Sequence, residues 1–157
     1  MSGASVDQYR IDWEDFLKSA PEVVTTLRTL TKVIADSGLE RPLTELVKVR
    51  ASQLNGCAFC LALHVEFARK AGVSQKALDL LATWHEAEIF SAREQAALAW
   101  TEALTLMAQQ RPSAEVFAAL CQQFSPQEVA FLTSSIGLIN AWNRIAGGLR
   151  FAPAAVS

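Results

Sequence analysis

The residues best suited to chemistry lie in one short run, Cys57-Ala-Phe-Cys60-Leu-Ala-Leu-His64, preceded by Glu45 and by the helix-breaking pair Asn55-Gly56. On a helix, at about 100° per residue, positions 57, 60 and 64 fall near 0°, 300° and 340°, so two sulfurs and an imidazole share a face about 60° wide. Two cysteines one turn apart can close a small disulfide ring, and a nearby base can make one of them the reactive thiolate. The economical reading is a dithiol redox site.

Competing chemistries fit the run less well. A structural zinc wants four ligands; Cys57 and Cys60 supply two and His64 a third, which leaves Cys121 or His85 for the fourth at no finger-like spacing. A c-type haem needs a histidine directly after the second cysteine, where Leu61 stands. The expectation is therefore no metal and no cofactor. A pair of packed, inert cysteines is the plain alternative.

Glu45 precedes Cys57 by twelve residues, on a helix that the Asn55-Gly56 break folds back. If two antiparallel helices result, Glu45 faces a residue about two turns into the second, which is the level of His64. A carboxylate that orients an imidazole, which takes a proton from a thiol, is the logic of a catalytic triad applied to sulfur. The plain alternative is a solvated helix glutamate. Which sulfur attacks is open on these grounds. Cys57 lies at a helix start, where the unpaired N–H groups favour a thiolate; Cys60 is four residues before His64 and meets it on the helix surface.

The elements that must position these groups read as helices throughout. A short amphipathic piece spans about Trp13 to Lys18, and Pro21 opens a helix to about Ser37, ended by Gly38. Pro42 opens Leu43 to Leu54; the cysteine helix runs from about Cys57 to Ala71, stopped by Gly72; Ser74 caps a helix carrying Ala77, Leu78, Leu80, Leu81 and Trp84. Ser91-Ala-Arg-Glu94 is a capping box for a helix to about Gln110, Pro112-Ser113 opens one to Phe124, and Ser125-Pro-Gln-Glu128 starts the last, which runs to Gly147-Gly148. No window alternates apolar and polar residues with β-branched enrichment, so no sheet is expected. The expectation is an all-α, single-domain bundle of about six to eight helices over residues 1–157.

Composition narrows the partners. With 157 residues the chain can bury a core without staples, and 51% of them are apolar against 19% charged, an excess for which homo-oligomerisation is a natural outlet. The formal net charge is −2 with no basic cluster, which argues against nucleic acid. The start of the chain lacks a signal-peptide pattern, and the longest apolar stretch, Val129 to Trp142, is broken by Thr133, Ser134, Ser135 and Asn140, which argues against a membrane span. Three cysteines, two of them paired, suit a reducing compartment, so the cytoplasm is expected. Cys121 reads as a small core residue, His85 as a surface or interface histidine, Asn140 and Asn143 as satisfied buried amides, and Trp84, Trp100 and Trp142 as core or subunit contacts.

The pattern Glu45-x11-Cys57-x2-Cys60-x3-His64, within Leu-Asn-Gly-Cys-Ala-Phe-Cys-Leu-Ala-Leu-His, resembles the alkylhydroperoxidase D-like core of the carboxymuconolactone decarboxylase superfamily. The segments Ser91–Thr105 and Ile139–Arg144 resemble its members as well, so the likeness covers about residues 41–150. It implies a helical fold assembled into homotrimers or hexamers and a thiol peroxidase or disulfide reductase. By the same likeness Cys60 would attack a hydroperoxide, Cys57 would resolve, and Glu45 with His64 would relay the proton. Its redox partners would be a lipoyl or thioredoxin-like donor, or a peroxiredoxin that the chain itself reduces. The family's namesake carries a histidine directly before the second cysteine, where this chain has Phe59. The superfamily's decarboxylases lack the cysteine pair, which argues against lactone chemistry. A reading of another class is a non-enzymatic redox sensor, in which the pair only switches oligomer packing.

Overall fold

In the computed structural model, which describes residues 10–153, eight α-helices follow in order: α1 (Trp13–Ser19), α2 (Pro21–Ala35), α3 (Arg41–Leu54), α4 (Ala58–Lys70), α5 (Gln75–Leu80), α6 (Ala92–Thr105), α7 (Ala114–Gln123) and α8 (Pro126–Leu149). A 3-10 turn, Leu81–Thr83, extends α5, and the described residues include no strand. The chain is all-α, as its punctuation predicts.

The starts are fixed by side chains that accept orphan N–H groups. Ser91 and Ser125 form reciprocal capping boxes with Glu94 and Glu128, and Asp12, Ser74 and Ser113 cap α1, α5 and α7. The α3–α4 reversal needs a left-handed residue, and Gly56 supplies it at φ 63°. Two ends differ from the sequence reading. Helix α6 stops at Thr105, not near Gln110, because Leu106 leaves helical geometry and the chain continues in turns. Helix α8 runs through both glycines to Leu149, and Arg150 takes the left-handed cap at φ 62°.

Helix α3 is the axis of the bundle. It packs against α4, α6 and α8 and sends side chains into three apolar clusters: Leu43 and Val47 toward Trp100, Leu120, Leu132 and Ile136; Leu46 and Val49 toward Leu81, Trp84 and Leu98; Ala51 toward Cys57, Cys60 and Ile139. A helix apolar on so many faces leaves its polar side chains nowhere to go but inward. Thr44, Glu45 and Ser52 are all buried. By contrast α7 lies at the edge and buries Leu120 alone. Cys121, one position and about 100° further round, is therefore exposed rather than a core residue, and Phe117 is 46% exposed.

Candidate active site

The α3–α4 hairpin sets Glu45 against His64. Glu45 Oε2 lies 2.8 Å from His64 Nδ1, and Lys48 Nζ donates to Glu45 Oε1 at 2.9 Å. The glutamate is 5% exposed. Burial pushes its carboxyl pKa upward, but the His64 hydrogen bond and the charge of Lys48 outweigh it and hold the group below its ordinary 4.5. Glu45 is thus a buried, ionised acceptor. With an ionised acceptor at Nδ1, the imidazole keeps its hydrogen there and presents Nε2 as the basic nitrogen. Lys48 was not singled out by the sequence reading, although its i, i+3 spacing from Glu45 carries the signal.

One turn before His64, Cys57 and Cys60 are joined by a disulfide with their Cα atoms 5.4 Å apart. Cys57 is the N-cap of α4 and not its first helical residue; its Sγ accepts the Cys60 backbone N–H at 3.3 Å. The reading of a sulfur at a helix start is met by Cys57, and the i, i+4 relation to His64 by Cys60. Both cysteines are 3% exposed. Over them Trp13, Phe16, Phe59, Trp142 and Phe151 form an aromatic cluster, in which Phe59 and Phe151 meet edge to face with centroids 5.3 Å apart and Trp13 and Phe151 at 5.5 Å. Phe59, directly before the second cysteine, is part of this aromatic wall.

A polar net pins the turn that carries Cys57. Ser52 O accepts the Cys57 N–H at 3.1 Å, Ser52 Oγ accepts from Asn143 Nδ2 at 3.1 Å, and Asn55 Nδ2 donates to Asn143 Oδ1 and Asn140 Oδ1 at 2.9 and 3.0 Å. Asn143 is buried and satisfied; Asn140 is half-buried and reaches Thr105 Oγ1 at 3.0 Å. The amides foreseen in α8 therefore hold the turn in place. Ser52 and Asn55 gave no sequence signal beyond a helix end.

Elsewhere, His85 has a side chain 62% exposed and stacks on Trp84. Trp84 and Trp100 are buried and Trp142 is half-buried. Among the described residues no group of three or more His, Cys, Asp or Glu could hold a metal ion, and no helix is long and apolar enough to cross a membrane.

An all-α fold thus carries a buried Glu–His pair one turn from a Cys-x2-Cys disulfide. The carboxymuconolactone decarboxylase family model matches residues 21–103, and the chain belongs to that family. It is 34% identical over 130 residues to the uncharacterised protein YdfG of Bacillus subtilis (strain 168), covering 83% of this chain and 88% of that one. Its structure is similar to that of a protein of unknown function from Agrobacterium tumefaciens, a candidate antioxidant defence protein AhpD, with TM-score 0.86, 36% identity, and coverage of 90% and 97% of the two chains. The debrominase Bmp8 shares the fold at TM-score 0.81 and 18% identity over 90% of this chain and 76% of that one.

Proposed function

We propose that the protein is a thiol-dependent peroxidase and disulfide oxidoreductase that reduces hydroperoxides through Cys60 and Cys57. The observation that carries this reading is the Cys57–Cys60 disulfide one helical turn from His64, whose Nδ1 is held by the buried, ionised Glu45. Likeness to a candidate antioxidant protein at 36% identity supports it.

In the reduced protein His64 Nε2 accepts the Cys60 proton, and Glu45 stabilises the imidazolium that forms. The Cys60 thiolate attacks the terminal oxygen of a hydroperoxide; the O–O bond breaks, the alkoxide takes the proton back from His64 and leaves as an alcohol, and Cys60 becomes a sulfenic acid. The Cys57 sulfur then attacks Cys60, its proton leaves with the hydroxide as water, and the disulfide forms. A dithiol donor of the lipoyl or thioredoxin-like kind restores two thiols by exchange. In this reading the protein works as a cytoplasmic homotrimer or hexamer without a cofactor.

Steady-state peroxide consumption with a dithiol donor tests the reading, because a sensor oxidises once and stops. Cys57→Ser is expected to consume one equivalent of peroxide and give an adduct with a sulfenic-acid-specific nucleophile, seen by intact mass. Cys60→Ser is expected to give none. The reversed pattern would assign the attack to the N-cap sulfur, and no change in either protein's mass would sink the redox mechanism.

A further inference from the structure

On the side of His64 away from the cysteines lies a cavity of about 280 Å³. Along α4, positions 57, 60, 64 and 67 are successive turns, and the cavity is walled by His64 and Phe67 but by neither cysteine. Its body is apolar, formed by Ile34, Leu39, Leu138 and Phe67, and its polar walls are Glu45, Lys48, Arg41 and three hydroxyls. An apolar cavity of about 150 Å³ takes up benzene, so one of about 280 Å³ suits a molecule of roughly 10–12 heavy atoms.

Two features give that molecule a charged head. Ser135 on α8 is 1% exposed, lines the cavity, and its Oγ is a buried polar atom without a hydrogen-bond partner. Its neighbour Ser134 satisfies itself on the Ala130 carbonyl at 2.8 Å, so the orphaned state of Ser135 is not a property of serines in this helix. A buried hydroxyl left unpaired is costly unless a bound group completes it. The second feature is charge. The two carboxylate oxygens of Glu45 are taken by Lys48 and His64, which leaves Arg41, exposed at the cavity rim and in no ion pair with a described residue, as the uncompensated charge. Ser135 is flanked on α8 by Leu132 and Ile136, which pack on Leu39 and Leu43, whereas Ile139 one turn later packs on the cysteines. Both groups therefore mark the end of the cavity remote from the sulfurs.

We propose that this cavity binds a small organic carboxylate with an apolar body, its anionic head held by Ser135 and Arg41 and its other end turned toward His64. Neither cysteine lines the cavity, so the acid is a ligand beside the His64–Glu45 pair and, resting on the peroxidase reading, not the molecule that Cys60 attacks.

Binding to the oxidised protein tests the site without any turnover, so loss of peroxidase activity and loss of binding are separate results. The probes are 4-phenylbutyrate and its neutral amide, titrated by calorimetry and by the His64 ring resonances. The acid is expected to bind one per chain, to shift the His64 signals, and to bind about tenfold tighter than the amide, as a charge-assisted head contact implies. Arg41→Gln, at an exposed site that cannot threaten folding, is expected to erase most of that preference, and Ser135→Ala to weaken the acid about fivefold or more. Equal binding of acid and amide, unchanged affinity in both variants, or no His64 shift overturns the proposal. So does a Ser135→Ala protein that melts higher and binds as well as the parent, since Ser135 is then only an unsatisfied hydroxyl.

Discussion

The molecule holds two glutamates, one buried and one half-buried, that each grip a histidine and a cation, and only one of them is placed for chemistry. Glu45, on α3, binds His64 and Lys48; Glu102, on α6, binds His85 Nε2 at 3.0 Å, Arg50 Nε at 2.8 Å and Trp84 Nε1 at 2.7 Å. Both carboxyls are held below their ordinary 4.5, burial pushing each upward and hydrogen bonds and cations outweighing it. The histidines differ. The His64 side chain is 14% exposed and stands between the disulfide turn and a cavity, while that of His85 is 62% exposed and lies flat on Trp84, its ring centroid 3.7 Å away. A Glu–His pair thus acquires a function from what lies on the far side of the ring. At Glu102 the carboxylate gathers α3, α6 and the 3-10 turn; at Glu45 it prepares a base.

The largest expected effects come from crossing the two sites. Glu45→Gln keeps an isosteric acceptor for one partner but removes the charge that supports the His64 imidazolium. Peroxide turnover is expected to fall about tenfold or more, in the range of a general-base contribution, and, because Lys48 loses its counter-charge, stability is expected to fall by about 1–3 kcal/mol as well. Glu102→Gln is expected to cost stability alone. Arg50 loses its counter-charge, so stability falls by about 1–3 kcal/mol while turnover per folded chain stays near the parent value. Peroxide assays and urea midpoints on both variants check the pair of results. A Glu102→Gln protein that is stable but inactive would break the distinction.

Acid should expose both glutamates together. Since each folded-state pKa lies below the ordinary 4.5, each carboxylate contributes stability that is complete above about that pH and is lost as pH falls through the lower folded value. Unfolding midpoints measured from pH 6 downward are expected to hold and then drop below about 4.5. In Glu45→Gln and in Glu102→Gln the drop is shallower. Equal slopes in all three proteins would mean that neither carboxylate is coupled to folding.

The helices were legible in the sequence because their punctuation is local: Ser91 with Glu94, Ser125 with Glu128, and Gly56 at a reversal each declare themselves within four residues. The pairing of Glu45 with the level of His64 followed from that reversal and a count of turns. What the sequence could not carry was which face of a helix meets the core. Cys121 has apolar neighbours but sits on the outer side of an edge helix, and Glu102, Arg50 and Trp84, separated by up to 52 positions, meet only after packing. Ser135 reads in sequence as one polar interruption of an apolar run; its isolation becomes visible when Oγ is found buried without a partner.

The smallest expected effect is the most discriminating between the two histidines. His85 shares with His64 a short contact to a glutamate carboxylate, and if that contact alone made a general base, His85→Ala would matter to turnover. It has no sulfur on its own helix turn and a mostly solvated ring, and Glu102 keeps Arg50 and Trp84 as donors when the ring is gone. Removing an exposed side chain whose partner stays satisfied is expected to change stability by no more than about 0.5 kcal/mol, with turnover and its pH profile unchanged. His64→Ala leaves Glu45 with Lys48 alone and takes away the imidazole four residues after Cys60, so turnover is expected to fall and the pH profile to lose the limb that a base imposes. Parallel pH–rate profiles of the two variants give the answer, and a lost limb in His85→Ala would move the relay to the other glutamate.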